Sequence, residues 1–359
     1  MRKCTVMNLS AFAFFLLALS AFVASCDAAD NYWISFTGPV ISSNSASSPS
    51  SSIGGPKYLM KIDALGNILE PARLVIRNSR TYVSPVYGAT AISENDSLLN
   101  MWMPAFSESI HHRVFRAMIR KDTLEVTAFI KTDLQVRNDY NLQVTQRPES
   151  NLLVMEDFVS TVQSDTLRYL GAPLSNNGTV IGKRVELSPQ PVSCPCEVGI
   201  SADGKILFFN DAKFNSSGVE TALFTLQRLD LHGNPIGHPE VIAKGRLVPT
   251  DISNILPTGY RLALFRGLPP LTLYVMPISN ESLQRIGAPI RIASQTDIAS
   301  QSAAIDPYGH FVVYKRFNTP YLFFQALDAL AHPSGKPKMI SDKVGSGIDI
   351  LKESDTTKQ

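Results

Sequence analysis

Beyond residue 25 the chain reads as short apolar stretches separated by glycine, asparagine, serine and proline. Dense runs without a polar alternate recur at Leu98–Met103, Leu152–Met155, Ile206–Phe209, Leu262–Phe265 and Phe311–Tyr314. A strand buried on both faces has no position that water would keep polar, so these runs predict strands walled in on two sides. A second type alternates, as in Leu223–Leu226, Leu273–Met276 and Leu322–Gln325, and predicts strands with one face toward a core. A third type mixes small, polar and apolar residues: Gly88–Ile92, Val198–Ser201 and Ser302–Ile305. Small side chains suit the crowded wall of a central channel. No segment of ordinary helix length carries the 3.6-residue period.

These types recur in one order, and each unit closes on a turn phrase. The phrase is clearest from Leu229 to Ile242, with Asp230, Gly233-Asn234, Ile236-Gly237 and Pro239. Kin of it run from Ile62 to Ile76, Leu167 to Leu187, Ile278 to Ile292 and Leu327 to Ile340. Glycine and asparagine accept positive φ, which tight turns between strands need. The closing apolar residues are Ile76, Ile130, Leu187, Ile242, Ile292 and Ile340, spaced 54, 57, 55, 50 and 48 residues apart. Periods near 50 built only from short strands are the signature of β-propeller blades.

The fold expected is all-β: a propeller of six four-stranded blades spanning residues 31–352, with a disordered tail at 353–359. The first unit begins at a second strand, Tyr32–Phe36, with no inner strand before it. The last is followed by an orphan, Gly347–Leu351, with the character of an inner strand. Pairing the orphan with the first unit closes the ring and removes open sheet edges. Ile41–Pro56, rich in Ser, Gly and Pro, reads as a loop within the first blade.

Residues 1–25 form an export signal. Arg2 and Lys3 are followed by a nearly all-apolar stretch from Leu9 to Val23, shorter than the roughly 20 residues that span a bilayer. Val23-Ala24-Ser25-Cys26 resembles the bacterial lipobox, which implies acylation of Cys26 and a membrane anchor in the periplasm or at the cell surface. Val-Ala-Ser before Cys26 and Cys-Asp-Ala before Ala29 also suit ordinary signal peptidase, which would leave a secreted protein.

Ser201-Ala202-Asp203-Gly204-Lys205-Ile206-Leu207-Phe208-Phe209 resembles the S-x-D-G-K-x-x-x-F phrase of TolB-like, WD40-like bacterial propellers, and Ala304–Val312 is a looser copy. The resemblance implies that Asp and Gly shape the turn between inner and second strands, and that Phe208 is core. It implies a binding platform in the cell envelope, although some such propellers are enzyme domains.

Composition removes other classes. The chain has 359 residues, 18% charged, and a formal charge of +2 that falls to zero without Arg2 and Lys3. A neutral chain has no excess charge to neutralise phosphates, so no nucleic-acid partner is expected. No G-x-S-x-G, H-E-x-x-H, P-loop or dinucleotide fingerprint is present. Cys194-Pro195-Cys196 is too closely spaced for C-x-x-C redox or zinc chemistry and reads as a local disulfide or as free thiols.

Loops leaving the second strands carry Asp157, Asp211, Arg266 and Arg316 toward one rim; loops entering the inner strands add Arg246, Asp251 and Asp297. Mixed charge around a channel mouth suits a sugar, a peptide or Ca²⁺, and equally an ordinary solvated rim. Asp251 and Asp297 stand at matching places in successive units. The expectation is a monomeric, lipid-anchored platform, needing no cofactor, that binds an envelope protein or small ligand. The alternative is a lactonase-type hydrolase with a metal held in the channel by inner-strand carboxylates.

Overall fold

The computed structural model describes residues 30–39, 55–77, 91–95, 97–105, 112–136, 142–145, 151–160, 165–175, 178–187, 198–215, 218–267, 271–297 and 302–354. The expected export signal, Cys26, the Ile41–Gly54 stretch, Cys194, Cys196 and the last five residues of the expected tail lie outside them.

Six four-stranded antiparallel sheets form a six-bladed propeller. Blade I holds β1 (Asn31–Thr37), β2 (Lys57–Asp63) and β3 (Ile68–Ile76). Blade II holds β4 (Ala91–Asn95), β5 (Leu98–Ala105), β6 (His112–Arg120) and β7 (Val126–Val136). Blade III holds β8 (Leu142–Val144), β9 (Asn151–Ser160), β10 (Asp165–Leu174) and β11 (Val185–Glu186). Blade IV holds β12 (Val198–Ile200), β13 (Ile206–Asn215), β14 (Gly218–Leu229) and β15 (Pro235–Gly245). Blade V holds β16 (Leu247–Ile252), β17 (Tyr260–Gly267), β18 (Thr272–Ser279) and β19 (Ile290–Ser294). Blade VI holds β20 (Ala303–Ile305), β21 (Phe311–Lys315), β22 (Leu322–Leu327) and β23 (Pro333–Ser341). The last strand, β24 (Ser346–Lys352), returns to blade I.

β24 pairs antiparallel with β1, Trp33 opposite Leu351 and Ile34 opposite Ile350, and so supplies blade I with its inner strand. Ion pairs Lys352–Asp30 (2.8 Å) and Lys61–Glu353 (2.7 Å) tie the two ends of the ring. The inner strands touch in sequence around the channel, β4 to β8, β12, β16, β20, β24 and back to β4.

The core is divided among the six seams between blades. Tyr32, Phe36, Phe311 and Phe324 pack between VI and I; Trp33, Leu99 and Met101 between I and II; Trp102, Leu153 and Met155 between II and III. Tyr169, Leu207 and Phe209 fill III–IV; Phe208, Phe224 and Phe265 fill IV–V; Leu262, Val275 and Tyr314 fill V–VI. Successive residues of a second strand enter opposite seams, as Phe208 and Phe209 do, which is why the central stretches of those strands are largely apolar.

Three of the turn phrases are built on one device. The Asp63 Oδ1 accepts N–H bonds from Leu65 and Asn67 at 2.9 and 2.8 Å. Asp230 does the same for His232 and Asn234, and Asp328 for Leu330 and His332. In the Ser201–Phe209 phrase, Ser201 Oγ donates to Asp203 Oδ1 at 2.6 Å, Gly204 has φ 65°, and Phe208 is fully buried.

Gly66 has φ 73°, and a Cβ there would lie 2.6 Å from the Phe324 ring of blade VI; Gly237 has φ 69° with open space around it. Gly237→Ala should therefore cost only the backbone strain, about 1 kcal/mol, and Gly66→Ala about 2 kcal/mol or more, read from urea unfolding of the two variants. Ending the chain before Ser346 removes β24, and the expected result is loss of a single cooperative melt, because β1 is left as an apolar edge.

Candidate functional site

Three inner strands each send one polar side chain to the backbone of the next blade. Asp349 of β24 accepts the Ile92 N–H of β4 on Oδ2 at 2.8 Å. Asp251 of β16 accepts the Ile305 N–H of β20 on Oδ2 at 3.0 Å. Gln143 of β8 accepts the Ile200 N–H of β12 on Oε1 at 2.6 Å. Blades I, III and V supply the acceptor; blades II, IV and VI supply the donor. Both aspartates also cap their own strands, Oδ1 taking the Ile350 and Ile252 N–H at 2.9 and 2.8 Å.

The donor peptides follow small residues: Ala91 before Ile92, Gly199 before Ile200, Ala304 before Ile305. Small size lets the neighbouring side chain reach the peptide. Glutamine is one methylene longer than aspartate, and its neighbour is glycine. A Cβ on Gly199 would come 2.6 Å from Gln143 Oε1 and 2.1 Å from the Phe208 ring.

Gln143, Asp251 and Asp349 line a cavity of about 20 Å³ together with Ala202, Ile252, Ile305 and Pro307. That is room for about one water. Burial pushes the Asp251 carboxyl up to about 7. Burial, with a further contribution from the charge of Asp251, pushes Asp349 up to about 8. Shifted carboxyl pairs beside cavities are a mark of catalytic sites. Here all four carboxyl oxygens already accept backbone N–H bonds, and the two on Oδ2 join neighbouring blades.

The rim residues named from sequence divide. Asp251 lies within β16 and faces the channel cavity, not an entry loop. Asp297 precedes β20 and pairs with Lys315 at 2.6 Å. Arg266, 1% exposed, donates to the Asp297 carbonyl at 2.6 Å and to Ser302 Oγ at 3.0 Å. Arg266 and Asp297 therefore form one V–VI clamp. Arg316 is exposed with its guanidinium 5.2 Å over the Phe323 ring, and Arg246 is exposed at the bend between β15 and β16. Asp157 and Asp211 stand in β9 and β13, and their side chains fall outside the described part.

Asp251 and Asp297 are thus not equivalents. The equivalents of Asp251 are Asp349 and Gln143, which the sequence reading missed. A signal existed: Gln143-Val144, Asp251-Ile252 and Asp349-Ile350 alternate around the ring with Ala91-Ile92, Gly199-Ile200 and Ala304-Ile305. It was hidden because Asp349 belongs to the orphan strand and Gln143 to an irregular unit. Among the described residues, no three His, Cys, Asp or Glu side chains converge on one point as metal ligands.

The fold and the channel define the class, a six-bladed β-propeller whose inner strands are clasped by side chains. No family model and no curated protein matches the chain. Solved structures similar to it include a protein from Lactobacillus plantarum, 13% identical with a TM-score of 0.46 over 89% of this chain and 99% of that one. A provisionally assigned 6-phosphogluconolactonase from Bacteroides uniformis is 13% identical with a TM-score of 0.49, covering 90% of this chain and 100% of its own. Another, from Bacteroides fragilis, is 14% identical with a TM-score of 0.42 and covers 91% and 99%. At such identity the likeness is one of fold.

A carboxyl whose folded pKa is raised holds its proton in the native state at pH values where the unfolded chain has lost it. Stability from Asp349 is therefore present below about pH 4 and is lost as pH rises toward 8. The slope is at most about 1.4 kcal/mol per pH unit for each such group. Asp349→Asn keeps the shape and removes the ionisation. Its unfolding free energy, measured in urea at pH 5, 7 and 9, should fall less with pH than that of the unaltered protein; parallel curves would remove Asp349 from the titration.

Proposed function

We propose that this chain is an exported six-bladed propeller, anchored to the membrane through acylated Cys26, that binds a ligand or an envelope protein and catalyses nothing. The observation that carries the reading is the commitment of the channel's polar groups. Asp251, Asp349 and Gln143 hold neighbouring blades together around a cavity of about one water. A hydrolase needs a carboxylate free to meet substrate and room for substrate beside it. The Ser201–Phe209 phrase supports kinship with TolB-like envelope propellers. The neutral mature chain supports a partner other than nucleic acid.

One observation favours the lactonase-type alternative: the two channel carboxyls whose pKa burial raises. The two readings separate in a melt of residues 31–359 with EDTA, then with Ca²⁺ or Mn²⁺, alongside lactone and ester hydrolysis. A metal at 100 times its dissociation constant adds about 2.7 kcal/mol. The expected result is no metal-dependent rise and no turnover. A rise of several degrees that EDTA reverses, with hydrolysis lost in Asp251→Asn, overturns the binding reading. Labelling of Cys26 by fatty acid, abolished in Cys26→Ser, tests the anchor.

A further inference from the structure

In a four-stranded antiparallel blade, the turn after the inner strand and the turn after the third strand leave the sheet at the same end. Both chain ends sit at that end of blade I. The Ala64 N–H donates to the Asp30 carbonyl at 3.0 Å, and the Glu353 N–H donates to the Asn31 carbonyl at 2.9 Å. Contacts run on around the ring from there. Lys352 holds its ammonium 4.5 Å from the Tyr308 ring centre of blade VI. The Asn254 N–H of blade V donates to the Pro307 carbonyl at 2.8 Å, and the Asp203 N–H of blade IV to Asn254 Oδ1 at 2.7 Å. The propeller face that gathers these turns is the face at which the N-terminal segment joins the ring.

Five blades each present a large apolar side chain at that face. Leu65, Ile181, Leu231, Ile286 and Leu330, from blades I, III, IV, V and VI, are between 48% and 67% exposed. Leu65 and Leu330 each donate their N–H to the aspartate two residues before them, and Leu231 stands in the third turn of that kind. Ile181 and Ile286 donate theirs to the carbonyls of Pro173 and Pro277 on the third strands. The shared bonds give Leu65 and Leu330, and likewise Ile181 and Ile286, matching places in their blades. The blade II turn differs: Leu124 is buried, and Asp122 and Glu125 are exposed. Isolated apolar side chains are common on protein surfaces. These five share one face, and it is the face of the chain ends.

Cys26 precedes Asp30 by four residues, and four fully extended residues span at most about 14 Å. An acyl chain on Cys26 therefore holds this face, and not the opposite one, against a bilayer. Exposed charges of both signs lie beside the apolar tips, among them Lys205, Asp328 and Lys336. Contact with lipid then comes from apolar insertion rather than from attraction to anionic headgroups.

We propose that the propeller lies flat on a phospholipid bilayer, with Leu65, Ile181, Leu231, Ile286 and Leu330 seated at the boundary between headgroups and acyl chains. The placement rests on the acylation of Cys26 in the reading above. It turns the opposite face, which carries Phe317 in the β21–β22 turn, toward the aqueous compartment. The test uses the full acylated protein, purified from membranes and reconstituted in phosphatidylcholine vesicles, with Leu330→Trp or Phe317→Trp as the probe. Trp33 and Trp102 are buried and give the background. Brominated lipid quenches most of the added emission of Leu330→Trp and none of that of Phe317→Trp. Bromines high on the acyl chain quench more than bromines near the bilayer centre, because interfacial side chains reach only about 5–10 Å. Sodium chloride leaves the quenching unchanged. Adding Leu65→Glu/Leu231→Glu, both at exposed positions, removes most of it while the protein stays on the vesicles. Equal quenching at the two faces, or none at Leu330→Trp in vesicle-bound protein, overturns the docking face and leaves the anchor standing. A blue shift of Leu330→Trp that grows with protein concentration and not with lipid assigns the face to a second copy and also overturns it. Protein that carries no fatty acid on Cys26 and does not sediment with vesicles overturns the anchored reading, and the docking face with it.

Discussion

Each second strand has to satisfy two seams at once. Phe208 enters the IV–V core while Phe209 enters III–IV; Trp33 enters I–II while Ile34 enters VI–I. A blade alone would leave one of those faces in water, so no blade is a finished unit and the ring is stable only when closed. Closure falls to β24, which gives blade I its inner strand and brings Asp349 to the channel. The outer strands are under no such demand, and they carry the exposed apolar residues Ile68, Ile236 and Met339.

The channel wall shows how buried polar groups are accommodated in that frame. A buried carboxyl is costly unless it is hydrogen-bonded or protonated. Asp251 and Asp349 meet both conditions, with backbone N–H bonds on each oxygen and pKa values raised by burial. Gln143 meets the same need without a charge, and its added length is matched by Gly199 on the facing strand. At the next seam, by contrast, Asp203 stays ionised. Burial pushes its carboxyl up, but the hydrogen bonds and charge of fully buried Arg261, at 2.8 and 3.2 Å, outweigh that and hold it low. Asp203 is less deeply buried than Asp251 and Asp349 and faces a guanidinium, and its carboxyl is shifted the opposite way.

Much of the blade plan was legible because it is written in local pattern. The apolar runs, the Asp-x-x-Gly-Asn turns and the missing first inner strand each follow from what one strand or one turn requires. The site was less legible. Asp251 was visible as a candidate, but its partners Asp349 and Gln143 lie 98 and 108 residues away in chain order. Arg266 and Asp297, read as separate rim charges, meet because β17 and the loop before β20 face each other across a seam.

The sequence by itself determined the number of blades, the strand type at each place and the ring's closure by its last strand. Side-chain alternation and turn chemistry act within a few residues, so a single chain carries them openly. Which polar groups meet was decided only by the tertiary structure. The channel clasps depend on blades that become neighbours only through the ring. Those contacts span seams between units, and no local pattern specifies what lies across a seam.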